Sequence, residues 1–256
     1  MNYPPRKEIH QKKTRKIKPV LLTILAIIVI LFGVFIGYVA DYYDADETAY
    51  ALLENTEEVQ YLTDDPIHFS PTEASDIGII FYPGGKVDEV AYTSLMQPLA
   101  EEGYNTFIPE MPFHLAVFDV DAADAIINNN LDIKHWYVGG HSLGAAMAAS
   151  YAADNLDKID GLILLAGYST TDLSQSNLPV LALYGSEDKV IDTEKVAEYR
   201  PNLPAETREE VIAGGNHAQF GRYGEQVGDA QAEISIEEQL SYTITVIHEF
   251  ISQQRQ

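Results

Sequence analysis

Residues 136–146 read WYVGGHSLGAA, and this stretch says more about the fold than any other part of the sequence. Gly140, Ser142 and Gly144 form a G-x-S-x-G pattern. An apolar run precedes the pattern and an alanine-rich run follows it, which predicts a strand, a sharp turn and a helix in succession. Glycines two positions before and after the serine leave room for the backbone to cross closely at such a turn. We therefore predict that Ser142 stands at a strand-to-helix turn, with its hydroxyl clear of the sheet.

Short apolar runs alternate with helical patterns from about residue 57 onward. The apolar runs lie at 59–62, 77–82, 106–109, 136–139, 162–166 and 180–184, with a mixed run near 209–213. The helical patterns lie at about 88–102, 118–129, 143–155, 192–199 and 236–254. Strands that alternate with helices form parallel sheets, and runs apolar at consecutive positions are typical of strands covered on both faces. The sequence thus predicts an α/β fold with a mostly parallel central sheet flanked by helices.

Residues 138–148, VGGHSLGAAMA, resemble the nucleophile elbow of the α/β-hydrolase superfamily. The resemblance covers nearly all of residues 57–256 and implies the α/β-hydrolase fold with Ser142 as the nucleophile. It also implies that an acid and then a histidine follow the serine along the chain. The backbone N–H of Leu143, at the start of the helix, is expected to face the oxyanion that develops during acyl transfer.

The acid is expected in residues 179–190, which read PVLALYGSEDKV. An apolar strand there ends in a turn that carries Asp188, and the resemblance implies that this carboxylate orients the base. Glu187 and Asp192 are nearby rivals for the same role. A solvated acidic loop is the structural alternative in so acidic a protein.

The base is expected in residues 212–220, which read IAGGNHAQF. His217 follows a glycine-rich turn after the last predicted strand, where the resemblance places the general base. His141 adjoins the serine but precedes the acid in the chain, and we expect its side chain to point away from the site. His114 is a candidate for lining the substrate pocket.

Residues 81–87, FYPGGKV, close and follow a predicted strand and resemble the family's second oxyanion loop. Pro83 stands where the family commonly has a histidine, so Gly85 and Lys86 both remain candidates for the second N–H donor. The connection at 167–178 is too short for a helical lid, which predicts an open site and a small or surface-presented substrate. In its size, loop and missing lid the chain resembles the small dienelactone-hydrolase-like branch, although the nucleophile of that enzyme is cysteine.

Residues 19–40 form an uncharged run of 22 residues, PVLLTILAIIVILFGVFIGYVA. As a helix this run would be about 33 Å long, enough to cross the hydrocarbon core of a membrane. Seven Lys or Arg residues precede it and an acidic stretch follows it, so the positive-inside rule places the N-terminus in the cytoplasm. A cleaved signal peptide fits less well, because Tyr38 would occupy position −3 of a cut after Ala40. A buried core helix is the other alternative.

These observations predict four segments along the chain. They are a basic cytoplasmic tail at 1–18, a transmembrane helix at 19–40, an acidic spacer or short helix at 41–56, and an α/β-hydrolase domain at 57–256. The predicted location is the cell membrane, with a single pass and an extracytoplasmic catalytic domain.

Composition excludes several classes of function. The 256 residues include no cysteine, so disulfides, thiolate metal sites and a cysteine nucleophile are excluded. From residue 19 onward 9 basic residues face 38 acidic ones, a net charge of −29, which repels nucleic acids. We expect no cofactor and no metal. The expected partners are a small ester or acyl substrate and, through residues 19–40, the membrane; the oligomeric state stays open.

The function predicted from these features is hydrolysis of a carboxylic ester through an acyl-enzyme on Ser142. An acyltransferase or an amide or peptide hydrolase could use the same residues. A non-catalytic, membrane-anchored binding module is the alternative of a different class.

Overall fold

The computed structural model describes residues 17–255, in an N-terminal unit that ends at Asp41 and a compact unit that begins at Tyr42. The predicted basic tail lies outside the described residues except for its last two positions. Helix α1 (Ile17–Ala40) contains the stretch Pro19–Ala40, whose mean hydropathy is 3.1. None of its most apolar part is buried, which disagrees with a buried core helix. The helix is long and apolar enough to cross a membrane, and a signal sequence has the same properties.

An eight-stranded sheet forms the centre of the compact unit. The strands are β1 (Val59–Asp64), β2 (Ile67–Pro71), β3 (Ile77–Tyr82), β4 (Asn105–Ile108), β5 (His135–His141), β6 (Gly161–Leu165), β7 (Val180–Gly185) and β8 (Arg208–Ile212). Their order is β1-β2-β4-β3-β5-β6-β7-β8. β2 pairs antiparallel with β1 and β4, and every other neighbouring pair is parallel. This arrangement confirms the predicted mostly parallel sheet.

Helices cover both faces of the sheet. α2 (Glu47–Ala51), α3 (Thr93–Glu101) and α7 (Ile236–Gln253) contribute to the core on one face, and α4 (Ala122–Asn129) and α5 (Leu143–Asp154) to the core on the other. α6 (Thr193–Tyr199) follows β7 and has no fully buried residue. The alternating residues of β6 enter both cores: Ile163 and Leu165 face one, Leu162 and Leu164 the other. This double burial is why the sequence of the strand is apolar at consecutive positions.

One strand, β2, is missing from the sequence prediction. Ile67 and Phe69 are buried, while His68 and Ser70 between and after them are only partly buried. Such an alternation is typical of an antiparallel strand, but two apolar residues are too few to stand out in a sequence. Pairing with β1 and β4 provides the backbone hydrogen bonds that fix the strand in place.

The segment predicted to be an acidic spacer belongs largely to the compact unit. Tyr43 forms a parallel bridge with Val87, and Ala49 of α2 is fully buried. The hydroxyl of Thr93 donates a 2.7 Å hydrogen bond to the carbonyl of Ala49. The expected domain boundary at residue 57 therefore moves to Tyr42, because α2 fills a position in the core that the sequence pattern did not reveal.

The connection between β6 and β7, residues 166–179, contains no helix or strand. This agrees with the prediction that there is no helical lid. Because β5, β6, β7 and β8 are parallel neighbours, their carboxyl ends lie along one edge of the sheet. Ligands of open parallel sheets bind outside this edge, and the candidate site is built there.

Candidate active site

Ser142 occupies the sharp turn between β5 and α5. Its backbone has φ 53° and ψ −115°, a conformation that costs a non-glycine residue about 1–3 kcal/mol and is found mainly at functional sites. The serine N–H donates a 2.9 Å hydrogen bond to the carbonyl of Leu165 on the neighbouring strand, which holds the turn against β6. The turn itself is therefore as the sequence predicts.

Both glycines of the pattern are required by close packing. A Cβ at Gly140 would lie 2.5 Å from the carbonyl carbon of Gly144, and a Cβ at Gly144 would lie 2.1 Å from the carbonyl oxygen of Tyr82. Real Cβ atoms do not approach backbone atoms so closely. The start of α5 thus lies directly against the end of β3, which brings Ser142 next to the loop that follows β3.

Asp188 and His217 contact each other at the ends of β7 and β8. Nδ1 of His217 lies 2.8 Å from Oδ2 of Asp188, and both side chains are 1% exposed. The other carboxylate oxygen, Oδ1, accepts hydrogen bonds from the backbone N–H groups of Val190 and Ile191 at 2.9 and 2.8 Å. A carboxylate fixed by three donors holds the imidazole in one orientation, with its proton on Nδ1 and a lone pair on Nε2.

The two rival acids do not contact the histidine. Glu187 accepts a hydrogen bond from the hydroxyl of Ser186. Asp192 caps α6 and accepts from the backbone N–H groups of Glu194 and Lys195. Of the three candidate carboxylates, Asp188 is the one that the fold brings to His217.

Nε2 of His217 is buried and has no hydrogen-bond partner among the described residues. The hydroxyl of Ser142 therefore forms no hydrogen bond to it in this structure. Hydrogen bonds between catalytic groups are often long before a substrate binds, so the absence of this bond does not conflict with a base at this position. The neighbouring ring of His141 lies 4.6 Å from that of His217, which puts the end of β5 beside the histidine.

Residues 83–86, hereafter the PGGK loop, follow β3 and lie beside the start of α5. A Cβ at Gly85 would lie 3.0 Å from the side chain of Leu143, so the backbones of these two residues are close together. No partner occupies the N–H groups of Gly85 and Leu143 within the described chain. Both groups are consequently available to a substrate oxygen.

Lys86, the alternative donor in the sequence prediction, does not fit the role. Its N–H donates a 2.7 Å hydrogen bond to the carbonyl of His114 and is therefore occupied. The residue adopts a left-handed conformation with φ 61°, which turns its peptide toward the 112–118 segment. Of the two expected donors in the loop, Gly85 is the one that the hydrogen bonds leave open.

The segment that precedes α2 supports the PGGK loop from outside. The N–H of Tyr43 donates to the carbonyl of Lys86 at 2.8 Å, and the N–H of Asp88 donates to the carbonyl of Tyr43 at 3.0 Å. The ring of Tyr42 stacks on that of His114 with centroids 4.0 Å apart. The first residues of the compact unit therefore help to form the site, which no feature of their acidic sequence indicates.

His141 does not point away from the site, contrary to the sequence expectation. Its imidazole is buried, and its Nδ1 lies 2.9 Å from the hydroxyl of Tyr92, a residue that no sequence motif marks. Burial, and then the proximity of His217, lowers the pKa of His141 well below its usual value. His141 is therefore neutral at physiological pH.

An apolar surface that is partly exposed adjoins Gly85 through Leu115. It consists of Phe113, Leu115, Val117 and Phe118, hereafter the apolar platform. Phe113, Val117 and Phe118 are each about half exposed, and their neighbour Leu115 lies within 3.6 Å of a Cβ placed at Gly85.

His114 is a candidate for lining the substrate pocket. Its Nδ1 lies 3.7 Å from Oε2 of Glu89, and the interaction with this carboxylate raises the pKa of His114.

Among residues 17–255, no group of three or more His, Asp or Glu side chains is arranged to hold a metal ion. The chemistry that the arrangement itself can perform is acyl transfer, since it combines a hydroxyl, a buried imidazole paired with a carboxylate, and two open N–H groups.

Comparison with known proteins identifies a family whose model matches most of the compact unit. The model of the alpha/beta hydrolase family matches residues 78–241. A search of curated proteins finds no significant match to the sequence.

Solved structures with the same fold include three hydrolase-related proteins. A predicted CIB-like hydrolase from Thermoplasma acidophilum is 18% identical, with 72% of this chain and 92% of that chain covered and a TM-score of 0.53. Est1E from Butyrivibrio proteoclasticus, with ferulic acid bound, is 15% identical, with 78% and 98% covered and a TM-score of 0.55. The carboxylesterase CesB from Bacillus subtilis is 11% identical, with 80% and 95% covered and a TM-score of 0.56. At these identities the likeness concerns the fold.

Proposed function

The chain belongs to the alpha/beta hydrolase family, and we propose that it cleaves a carboxylic ester through an acyl-enzyme intermediate on Ser142. His217 is the general base of this proposal and Asp188 the residue that orients it. The observation that carries the proposal is the buried 2.8 Å contact between His217 and Asp188, which leaves Nε2 of the histidine unpartnered. A buried nitrogen without a partner costs free energy, which is understandable where the nitrogen must accept a proton.

Acylation begins when Oγ of Ser142 attacks the carbonyl carbon of the ester. The hydroxyl proton passes to Nε2 of His217, and the carbonyl oxygen becomes an oxyanion that accepts hydrogen bonds from the N–H groups of Leu143 and Gly85. The C–O bond of the leaving group then breaks, and the departing alcohol takes the proton from Nε2. The products of this half-reaction are the acyl-serine and the free alcohol.

Deacylation repeats the sequence with water as the nucleophile. Water gives a proton to Nε2 of His217 and attacks the acyl carbon to form the second tetrahedral intermediate. When the bond between the carbon and Oγ breaks, the carboxylic acid leaves and the proton passes from Nε2 to Oγ of Ser142. Asp188 stabilises the imidazolium that forms in both halves. The two backbone N–H groups that hold its Oδ1 keep this carboxylate in place throughout.

The proposed substrate has an apolar acyl or alcohol group and enters from solvent. The apolar platform supports this assignment, because it lies beside the proposed oxyanion donors and exposes two aromatic side chains, Phe113 and Phe118. Each methylene buried on such a surface contributes about 0.8 kcal/mol. Est1E with its bound ferulic acid and the carboxylesterase CesB share the fold and support ester chemistry by analogy.

We also propose that residues 19–40 anchor the protein in the cell membrane. The basic residues before the helix and the acidic residues after it support a cytoplasmic N-terminus and an extracytoplasmic hydrolase domain. Protease added to intact cells then degrades the hydrolase domain. A protected domain indicates the opposite topology, and a soluble secreted domain indicates a cleaved signal sequence.

A panel of p-nitrophenyl esters of varied acyl length tests the proposed reaction. The wild type is expected to hydrolyse them, and Ser142→Ala to lower kcat by at least about 10⁴-fold. Ser150→Ala, a change on the same helix away from the turn, is the matched control and retains activity. A wild type without activity on any ester argues against the proposal and favours a binding module.

Two further measurements separate the related reactions. The partition of products between water and added alcohols or amines separates hydrolysis from acyl transfer, and amide substrates test for amidase activity.

A further inference from the structure

Two buried polar side chains, Tyr92 and His141, lie beside the proposed catalytic residues and have no role in the reaction described above. Tyr92 ends the 3-10 turn Glu89–Tyr92 before α3, and His141 is the last residue of β5. Tyr92 is fully buried and His141 is 1% exposed. Buried polar groups cost free energy unless they are hydrogen-bonded, so the hydrogen bonds of Tyr92 and His141 show what the pair connects.

The hydroxyl of Tyr92 joins the PGGK loop to His141. It accepts a 2.9 Å hydrogen bond from the N–H of Gly84, and it lies 2.9 Å from Nδ1 of His141. Burial raises the pKa of Tyr92, so the hydroxyl keeps its proton, and a neutral His141 can accept it at Nδ1. In this arrangement the proton of His141 lies on Nε2, which is buried and has no hydrogen-bond partner among the described residues. This hydrogen-bond chain fixes both the tautomer of His141 and the position of the loop.

The packing around Gly84 leaves the loop no freedom to move toward the pair. A Cβ at this position would lie 2.7 Å from the hydroxyl of Tyr92 and 2.8 Å from Nδ1 of His141. The backbone of Gly84 is thus in direct contact with both side chains. The next residue along the chain is Gly85, a proposed oxyanion donor.

On its other side, His141 contacts the proposed base. Its ring centroid lies 4.6 Å from that of His217 and 5.8 Å from that of Phe220, on the same loop. The ring of Tyr223 lies 6.3 Å away and completes the enclosure. His141 therefore lies between the histidine loop and the Tyr92 hydroxyl.

We propose that Tyr92 and His141 are positioning residues that hold the PGGK loop at a fixed distance from the imidazole of His217. This inference rests on the proposed function, since it assigns the pair a role in aligning an oxyanion donor with the base. The need for such a link is physical: a displacement of about 1 Å in a catalytic group can lower the rate about 100-fold. The loop and the histidine come from distant parts of the chain, and the pair connects them through direct contacts.

The test is the kinetics of Tyr92→Phe in the full-length protein with a p-nitrophenyl ester. The substitution removes the hydroxyl and leaves the ring, so the loop loses its acceptor and His141 its donor. We expect kcat to fall about 10- to 100-fold while KM changes less than about threefold, because the pair acts on alignment and not on substrate binding. His141→Gln is a second variant, and it is expected to show the same division between kcat and KM.

Tyr104→Phe is the matched control. Tyr104 is also buried, and its hydroxyl lies 3.0 Å from Nδ1 of His248, but this pair joins the start of β4 to α7, away from the site. Tyr92→Phe loses two hydrogen bonds and Tyr104→Phe loses one, so each variant is expected to lower the free energy of unfolding by about 1 kcal/mol for each lost bond. The control is expected to keep the wild-type kcat. If Tyr92→Phe is destabilised but keeps the wild-type kcat as the control does, the pair is structural and the inference is wrong.

A spectroscopic readout does not depend on activity. Imidazole ¹⁵N chemical shifts of His141 are expected to show an unprotonated Nδ1 and a protonated Nε2 in the wild type, and a mixture of tautomers in Tyr92→Phe. An unchanged tautomer in the variant contradicts the proposed link. If the wild type shows the expected tautomer but hydrolyses no ester, the proposed function fails and the hydrogen-bond chain stands. If the wild type hydrolyses esters and Tyr92→Phe keeps the wild-type kcat, the proposed function stands and the positioning role of Tyr92 and His141 fails.

Discussion

Nδ1 of His217 and Oδ2 of Asp188 lie 2.8 Å apart, at a depth where both side chains are 1% exposed. The two residues are 29 positions apart in the chain and come from the ends of adjacent parallel strands, β7 and β8. A contact of this kind removes two polar groups from water, and the remaining nitrogen of His217 gains no partner in return. The arrangement is costly for stability alone and is well suited to proton transfer.

The first prediction concerns Asp188→Asn. The amide can no longer stabilise an imidazolium and can favour the wrong tautomer of His217, so kcat is expected to fall by about 10³- to 10⁴-fold. Glu187→Gln is the matched control, because this carboxylate contacts Ser186 and not the histidine. The measurement is the steady-state kcat of the two variants. If Asp188→Asn is as active as the control, Asp188 does not orient the base.

The second prediction concerns the apolar platform. Phe118→Ser is expected to lower kcat/KM for p-nitrophenyl octanoate by about tenfold. The reason is that each methylene that loses its contact with the platform loses about 0.8 kcal/mol of binding free energy. The acetate, which does not reach the platform, is expected to change by less than about twofold. Leu131→Ser removes an exposed apolar side chain at the opposite end of the sheet and serves as the control. A loss that is independent of chain length contradicts this placement of the substrate.

The third prediction concerns the segment before α2. A protein that begins at Tyr42 is expected to keep the wild-type kcat/KM. One that begins at residue 57 loses the bonds of Tyr43 to the PGGK loop and the buried Ala49, and its free energy of unfolding is expected to fall by at least about 2 kcal/mol. Urea unfolding and ester hydrolysis of the two proteins measure these effects. If the two proteins have equal stability and activity, residues 42–56 are a spacer and do not support the site.

The fourth prediction concerns the pH dependence of stability. Because burial lowers the pKa of His141 well below 6.5, the unfolded chain binds a proton below this pH that the folded protein does not. The contribution of His141 to stability is therefore complete above pH 6.5 and is lost as the pH falls below it. His68 acts in the same direction, since burial lowers its pKa to about 4.

Urea unfolding between pH 7 and pH 5 measures this loss. His141→Gln is expected to flatten the slope of unfolding free energy against pH by up to about 1.4 kcal/mol per pH unit, the value for one proton. His68→Gln flattens the same part of the curve independently, because the two histidines lie in different parts of the fold. A slope that His141→Gln leaves unchanged means that the imidazole is protonated in the folded protein at these pH values.

The central part of the fold was predictable because its physical causes are local in the sequence. The consecutive apolar residues of β6 reflect burial on both faces, and the glycines around Ser142 reflect the crossing of backbones at one turn. β2 was missed because its hydrogen bonds come from β1 and β4, and its own sequence contributes only Ile67 and Phe69 to the core.

The candidate site was predictable where a motif carries the chemistry and not where packing decides. Ser142, Asp188 and His217 follow from the order of motifs along the chain. The contact of Tyr92 with the PGGK loop and the inward direction of His141 depend on contacts between distant segments, which no single-sequence pattern encodes. The choice between Gly85 and Lys86 depends on one hydrogen bond from Lys86 to His114, and that bond exists only in the folded chain.

The most direct test of the central claim is covalent labelling by a fluorophosphonate, followed by peptide mapping. The reagent reacts with a serine that a base has activated, so the account predicts one adduct, on Ser142, in the wild type. Asp188→Asn should label far more slowly and Ser142→Ala should not label at all. A folded wild type that stays unlabelled, or an adduct on a different residue, would contradict the account.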